Sequence, residues 1–320
     1  MVLKLGIVGA GIMGAHHCRI ATALPDVEVA VVVDPDPHRG RALADHVGAV
    51  YAPTTEALFG TVQAAIVAAP SEHHADIGVE LLRGDIDLLV EKPIATTLED
   101  AKRLVAAADE RRRILMIGHV ERFNPAVAEL PRLVDDLIHI DIRRVGPFSP
   151  RVDSDVVLDL MIHDLDLVRT LVDADLVRVH ALSRRVHSST QDFAAVLLRF
   201  ANGVSATLTA SQASQTKQRQ IELTQRGNVV VADLLHRQVT VHRVEHAEFV
   251  DEDGPRYRQN SVIEIPYLDG SGEPLAREQR HFVRCVRERT APLVSGADGL
   301  AALELALRVR DESLREELGV

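Results

Sequence analysis

The chain has 320 residues, more than one ordinary hydrophobic core encloses, so two domains are the default. Its 36 Lys and Arg against 47 Asp and Glu give a net charge of −11, and no basic block is long enough to follow a phosphate backbone, which excludes nucleic acid as a partner. No apolar run reaches membrane-spanning length and a strand pattern starts at Val2 without a signal-peptide layout, so a soluble cytoplasmic protein is expected.

Leu3 to Val8 is a β-rich run, followed directly by Gly9-Ala10-Gly11-Ile12-Met13-Gly14 and a helical segment to about Ala23. This is a GxGxxG turn between a strand and a helix. Its glycines permit a tight turn, and the helix N-terminus offers amides to a pyrophosphate. A second strand, Val27 to Val33, ends at Asp34, 20 residues after Gly14, where a carboxylate can accept hydrogen bonds from an adenosine ribose. Asp34 would repel a 2′-phosphate and favours NAD, while nearby Arg39 leaves NADP open. Cys18 and Cys285, the only cysteines, lack metal or disulfide spacing and read as packing residues.

The alternation continues with a helix from Arg39 to His46, a strand from Ala49 to Tyr51, a helix from Thr55 to Phe59 and a strand from Ala64 to Ala69. Pro70 to His74 follows. Adjacent His73 and His74 diverge by roughly 100° on a helix, which argues against a shared metal and leaves cofactor contact or capping for His74. The fifth strand, Asp87 to Val90, runs into Glu91-Lys92-Pro93. In a parallel sheet this is the carboxyl lip where ligands bind. Pro93 restricts Lys92 to an extended backbone and so aims it, with a cis Lys92-Pro93 bond expected. A helix from Leu98 to Arg112 and a strand from Ile114 to Gly118 complete a doubly wound nucleotide-binding domain, 1–120, leaving 121–320 as a second domain.

His119-Val120-Glu121-Arg122-Phe123-Asn124-Pro125 again follows a strand end and reads partly as a site and partly as a cap for a helix from Ala126 to Leu133. Ile138, Ile140 and Ile142 alternate with polar residues as in a half-buried strand. Val156 to Val172 reads as a buried helix interrupted on one face by Asp159, His163 and Asp166, with Asp164 pointing elsewhere. That stripe is either a satisfied structural Asp-His pair or a catalytic one. Six β segments follow between Leu176 and His242, with turns at Asn202-Gly203 and Gly227-Asn228, giving an open, mostly antiparallel sheet in an α+β domain. Lys217 and Arg219 open one of its strands. Residues 245–260 read as polar and irregular, and helices from Pro274 to Arg289 and Leu300 to Leu318 close the chain.

Gly9 to Gly14, Pro70 with His74, Glu91-Lys92-Pro93 and the Asp159 to His163 helix together resemble the glucose-fructose oxidoreductase and inositol dehydrogenase (Gfo/Idh/MocA) superfamily over essentially the whole chain. The resemblance implies an N-terminal Rossmann domain, a C-terminal α/β domain whose open sheet forms homodimers or homotetramers, and oxidation or reduction of secondary hydroxyls of sugars and cyclitols with NAD or NADP. It implies Lys92 and His163 as the catalytic pair, Asp159 as a residue that binds and orients the reacting hydroxyl, and Pro70, His74, Glu91 and Lys92 beside the cofactor. Where the family commonly carries glycines around the Asp and His, this chain has Asp155-Val156-Val157-Leu158 and Leu160-Met161-Ile162.

The stretches Gly118 to Val127 and Leu158 to Asp164 further resemble a branch described as UDP-N-acetylglucosamine 3-dehydrogenases, which make a 3-oxo sugar nucleotide. A UDP moiety needs cationic anchors, and Arg122, Lys217 and Arg219 are the candidates; His119 and Asn124 complete the expected substrate set. No metal is required. The competing readings are a dehydrogenase of free sugars or inositols and a non-catalytic NAD(P)-sensing protein of the same fold.

Overall fold

A computed structural model describes residues 2–148, 155–251, 254–269 and 272–318. In chain order its elements are β1 (Leu3–Val8), α1 (Ile12–Thr22), β2 (Val27–Val33), α2 (Pro37–Val47), β3 (Val50–Ala52), β4 (Ala64–Val67), α3 (His74–Arg83), β5 (Asp87–Glu91), α4 (Leu98–Arg111), β6 (Leu115–Gly118), α5 (Pro125–Leu133), β7 (Leu137–Val145), α6 (Ile162–Leu171), β8 (Leu176–Arg184), β9 (Phe193–Phe200), β10 (Ser205–Ser211), β11 (Gln218–Gln225), β12 (Val229–Asp233), β13 (Gln238–Asp251), β14 (Gly254–Glu264), α7 (Pro274–Glu288) and α8 (Gly296–Leu318). They fall into two compact units, Met1–Phe123 with Gly272–Glu304, and Asn124–Ser271 with Leu305–Val320.

The first unit is built on a parallel sheet of order β3-β2-β1-β4-β5-β6. Every residue of β4, β5 and β6 is buried, the signature of strands covered on both faces, which is why they read as continuous apolar runs. Helix starts follow local chemistry. Asp36 caps α2 by accepting from the His38 and Arg39 amides, and Pro37 occupies the first turn, where a missing N–H costs nothing. The strand order reverses between β1 and β4, placing the Gly9 turn at the topological switch point.

The return of residues 272–304 to this unit departs from a single second domain over 121–320. The cause is edge pairing plus an apolar stripe. The Ile117 amide donates to the Val294 carbonyl at 3.0 Å, Met116 bridges Ser295, and Arg289 ion-pairs with Asp87. The stripe of α7 buries Leu275, Phe282, Val283 and Val286.

The second unit carries an eight-stranded sheet of order β14-β13-β12-β11-β7-β10-β9-β8, antiparallel except for β7 with β10. Ile140, Ile142, Leu208, Ile221 and Leu223 point to one buried face, and the Asn202-Gly203 hairpin joins β9 to β10 with Gly203 at φ 88°. Two expectations fail here. Residues 245–260 are not irregular but form most of the β13–β14 hairpin. Residues 242–246 and 258–261 are exposed, so the ribbon shows no apolar alternation and is held by its backbone ladder. Nor is Val156 to Val172 one regular helix: residues Val157–Met161 form a wide π turn before α6 starts.

Candidate active site

In the first unit the Gly9 turn is built so that side chains cannot intrude. A Cβ on Gly14 would lie 1.8 Å from the Gly9 carbonyl oxygen, and one on Gly9, at φ 98°, would lie 2.5 Å from the Ala68 oxygen. Gly11 differs: a Cβ there would meet nothing within 4 Å, so its backbone faces open space. Ile12 and Met13 are exposed beside it, and no side chain caps the start of α1, whose first amides are left for an anion. This is the cradle a dinucleotide pyrophosphate requires, and the residues fit NAD.

Asp34 is fixed next to that turn. Its Oδ2 accepts from the Ala10 amide at 2.7 Å and from Arg39 Nε at 3.2 Å; its Oδ1 accepts from the Asp36 amide and Arg39 Nη2, both at 2.9 Å. Burial pushes this carboxyl up, but the hydrogen bonds from Arg39, Ala10 and Asp36 outweigh it and hold the group below the usual range. Asp34 is thus an ionised acceptor whose exposed-side hydrogen bonds are taken by Arg39.

The Lys92-Pro93 bond is cis, as the sequence leads one to expect. Lys92 is half-buried at the end of β5, at the carboxyl lip of the sheet. Glu91 turns the other way. Its Oε1 accepts from His17 Nε2 at 2.7 Å and its Oε2 accepts from the Lys92 amide at 3.2 Å. Burial raises the Glu91 carboxyl, and the His17 hydrogen bond with the His17 and Lys92 charges brings it below its ordinary value. Glu91 therefore holds the Lys92 backbone from inside, a different task from the cofactor contact expected of it.

His74 is also placed differently. Pro70 leads into a short turn at Ser71–His73; His73 is exposed while the His74 ring is buried between the Pro93 carbonyl (2.9 Å) and the Ala69 carbonyl (2.8 Å). Both ring nitrogens are committed to main chain, so His74 ties the loop after β4 to the loop after β5. Burial lowers its pKa, against the pull of those carbonyls. His119 is buried after β6, and the largely buried Arg122 lies 3.8 Å from Asp298, which fits an internal ion pair better than a diphosphate anchor.

In the second unit Asn124 spends its whole amide on structure: Oδ1 accepts from the Ala126 amide to cap α5 and Nδ2 donates to the Leu234 carbonyl, each at 3.1 Å. The expected substrate role for it fails for that reason. Asp155 caps the wide turn, its Oδ1 accepting from the Val157 amide at 2.8 Å, and burial raises its pKa. The turn carries half-exposed Asp159 just before His163, which is buried to 9 % exposure.

Asp159 lines a cleft of about 390 Å³ together with Gln212, Ser211, Arg144, Lys217 and Arg219. Gln212 Nε2 donates to Asp159 Oδ2 at 3.2 Å. Arg144 is buried and grips Asp164, with Nε 2.9 Å from both carboxylate oxygens and Nη2 2.7 Å from Oδ1. Neither Arg144 nor Gln212 was singled out from the sequence. For Arg144 a signal existed: counting by twos from Ile140 and Ile142 puts 144 on the inward face of β7, where a charge demands a partner.

Residues 3–119 match a family model for oxidoreductases with an NAD-binding Rossmann fold, and residues 138–229 match the GFO/IDH/MocA C-terminal domain. A UDP-N-acetylglucosamine 3-dehydrogenase of Acidithiobacillus ferrooxidans is 28% identical over 316 residues, 96% of this chain and 96% of that protein. A solved structure of a UDP-N-acetylglucosamine 3-dehydrogenase from that organism aligns with a TM-score of 0.88 at 27% identity, covering 98% of this chain and 97% of the other. An inositol 2-dehydrogenase of Rhizobium meliloti is 25% identical over 325 residues, 96% of this chain and 95% of that protein. No described helix is long and apolar enough to cross a membrane. With the glycine cradle and ionised Asp34 of its first unit, the chain belongs to the Gfo/Idh/MocA family and is an NAD-dependent dehydrogenase acting on CH–OH groups.

Proposed function

We propose that the enzyme oxidises a secondary hydroxyl of a nucleoside-diphosphate sugar, the 3-hydroxyl of UDP-N-acetylglucosamine, to the 3-oxo sugar. The observation that carries this reading is the shared cleft: Lys217 and Arg219 line the same space as Asp159 and Gln212. Two cations beside a hydroxyl-binding carboxylate suit a sugar that carries a diphosphate, whereas an uncharged inositol gives such cations nothing to bind. The similarity to a UDP-N-acetylglucosamine 3-dehydrogenase over 96% of the chain supports the same assignment.

In this mechanism the Gly9 to Gly14 turn, Asp34 and the lip at Lys92 hold NAD, which when bound supplies the acceptor for the hydride. His163 takes the proton of the reacting hydroxyl as the C–H bond breaks and the carbonyl forms; an imidazole can accept and return a proton near neutrality. Lys92 donates a hydrogen bond to the same oxygen and stabilises its developing negative charge. Asp159, steadied by Gln212, accepts from a sugar hydroxyl and sets the ring orientation. Exposed Leu182 and Leu197 on one face of the second sheet support a homodimer or homotetramer through that face, and light scattering after size exclusion tests it.

The deciding experiment is NADH formation with UDP-N-acetylglucosamine, free N-acetylglucosamine, glucose and myo-inositol, each with NAD and NADP. Only the sugar nucleotide should react, and Lys217→Ala with Arg219→Ala should raise its KM at least about tenfold with a smaller effect on kcat. Turnover of free polyols alone would reject the sugar-nucleotide reading.

A further inference from the structure

The stripe by which α7 enters the first unit contains two residues that do not belong on an apolar face, Glu278 and Gln279, both with no exposed surface. Gln279 has an evident task. Its Nε2 donates to His17 Nδ1 at 2.8 Å and to the His17 carbonyl at 3.1 Å. A His17 Nδ1 that accepts leaves the ring proton on Nε2, the nitrogen that reaches Glu91 Oε1 at 2.7 Å. Glu91 in turn accepts from the Lys92 amide. A buried relay thus runs from α7 through α1 to the backbone of Lys92.

Glu278 stands beside this relay, yet neither of its carboxyl oxygens has a hydrogen-bond partner among the described residues. A charged carboxylate in that position would face several kcal/mol of desolvation and the charge of Glu91 with no donor to offset either. A neutral acid faces neither cost and carries one O–H donor. We propose that Glu278 is a positioning residue held as a neutral carboxylic acid, which directs its proton to Glu91, directly or through one water, so that the two acids carry a single negative charge behind Lys92. Burial and the Glu91 charge both push the Glu278 carboxyl well above its ordinary value, in agreement.

The arrangement explains why Glu91 stays ionised although it is buried. It receives from His17, from the Lys92 amide and from Glu278, and a carboxylate supplied by several donors keeps its charge. The fixed charge then anchors the peptide that carries Lys92. This inference rests on the proposed role of Lys92 in turnover, and the test separates the two.

Glu278→Gln keeps the shape and a donor, since an amide N–H replaces the acid O–H, whereas Glu278→Met keeps volume and removes the donor. With UDP-N-acetylglucosamine and NAD, Glu278→Gln should retain kcat within about twofold, while Glu278→Met should lose about tenfold in kcat with its affinity for NADH unchanged. The melting temperature of Glu278→Met should be equal or higher, because an acid lacking partners has been replaced by an apolar side chain, so a loss of rate there is not a loss of fold. Equal damage from Gln and Met, or full rate in Met, overturns the proposal. Lys92→Ala is the control: if it turns over normally, the role of Lys92 fails as well, whereas an inactive Lys92→Ala with a fully active Glu278→Met rejects the Glu278 relay alone. Independently of any substrate, infrared difference spectra of the wild type against Glu278→Gln near neutral pH should show a protonated carboxyl stretch lost in the variant. A carboxylate band in its place also overturns the proposal.

Discussion

Arg39 is the residue whose removal should most clearly divide NAD from NADP. In the structure it occupies Asp34 with two nitrogens, at 2.9 and 3.2 Å, on the carboxylate that the ribose of NAD would need as an acceptor. The Arg39 side chain is 53 % exposed, so the pair contributes no more than about 1 kcal/mol. Arg39→Ala removes this competitor and should strengthen NADH binding by up to roughly fivefold, the factor that 1 kcal/mol represents. For NADPH the sign reverses. A guanidinium released from Asp34 can turn to the 2′-phosphate, and a charge-assisted hydrogen bond of about 1.5–3 kcal/mol corresponds to a loss of roughly ten- to hundredfold when it is deleted. The chain contains no Trp, so binding is best followed by nicotinamide fluorescence, titrated at fixed salt with both reduced cofactors. Weakening of NADH, or an equal change for both cofactors, would refute the view that Arg39 competes for Asp34.

Three further outcomes follow from the geometry. His163→Ala should lower kcat at least about 100-fold while NADH still binds; a nearly full rate would remove His163 from proton transfer. Asp164→Ala should cost about 3–5 kcal/mol in urea unfolding, because it strips the carboxylate from a buried Arg144, and a change below about 1 kcal/mol would show that the pair is dispensable. Glu278 sets a pH signature. Its native pKa lies above the unfolded value, so its proton is bound in both states at low pH; as pH rises past the unfolded pKa, only the native state keeps the proton and stability falls until the native pKa is passed. Glu278→Gln has no such term, so its stability relative to wild type should increase between about pH 4 and neutrality, by up to roughly 1.4 kcal/mol per pH unit. A constant difference across that range would mean that Glu278 titrates normally.

Much of the first unit is legible because its strands and turns depend on neighbours in sequence. Leu3–Val8 and Val27–Val33 have the bounds their apolar runs suggest, and the Gly9 turn needs glycine for reasons local to the turn. The β13–β14 hairpin is the opposite case. Its outer residues are polar on both faces, and what makes it a hairpin is backbone pairing, which side-chain pattern does not report. The wide turn at Val157–Met161 is hidden for a related reason: a buried helix that is apolar nearly all round gives no phase from which to see a slipped register.

The site divides in the same way. Lys92 and Asp34 follow strand ends, where position alone marks a candidate, and the Asp159 to His163 segment follows from motif resemblance. His74, Asn124 and Glu91 were assigned to ligands because they are polar and sit at those same strand ends, yet each one is used up by main chain or a buried partner. Polarity at a strand end therefore indicates that a group must be satisfied, without indicating by what. The complementary error is at Glu278 and Arg144, polar residues at inward positions of an apolar stripe and an apolar strand face. There the pattern itself is the signal, because an ionisable group on a core-facing position has to be neutral or paired. Arg144 is paired within its own unit by Asp164, and Glu278 has Glu91 in reach of its charge but no donor, which is why the structure points to a proton there.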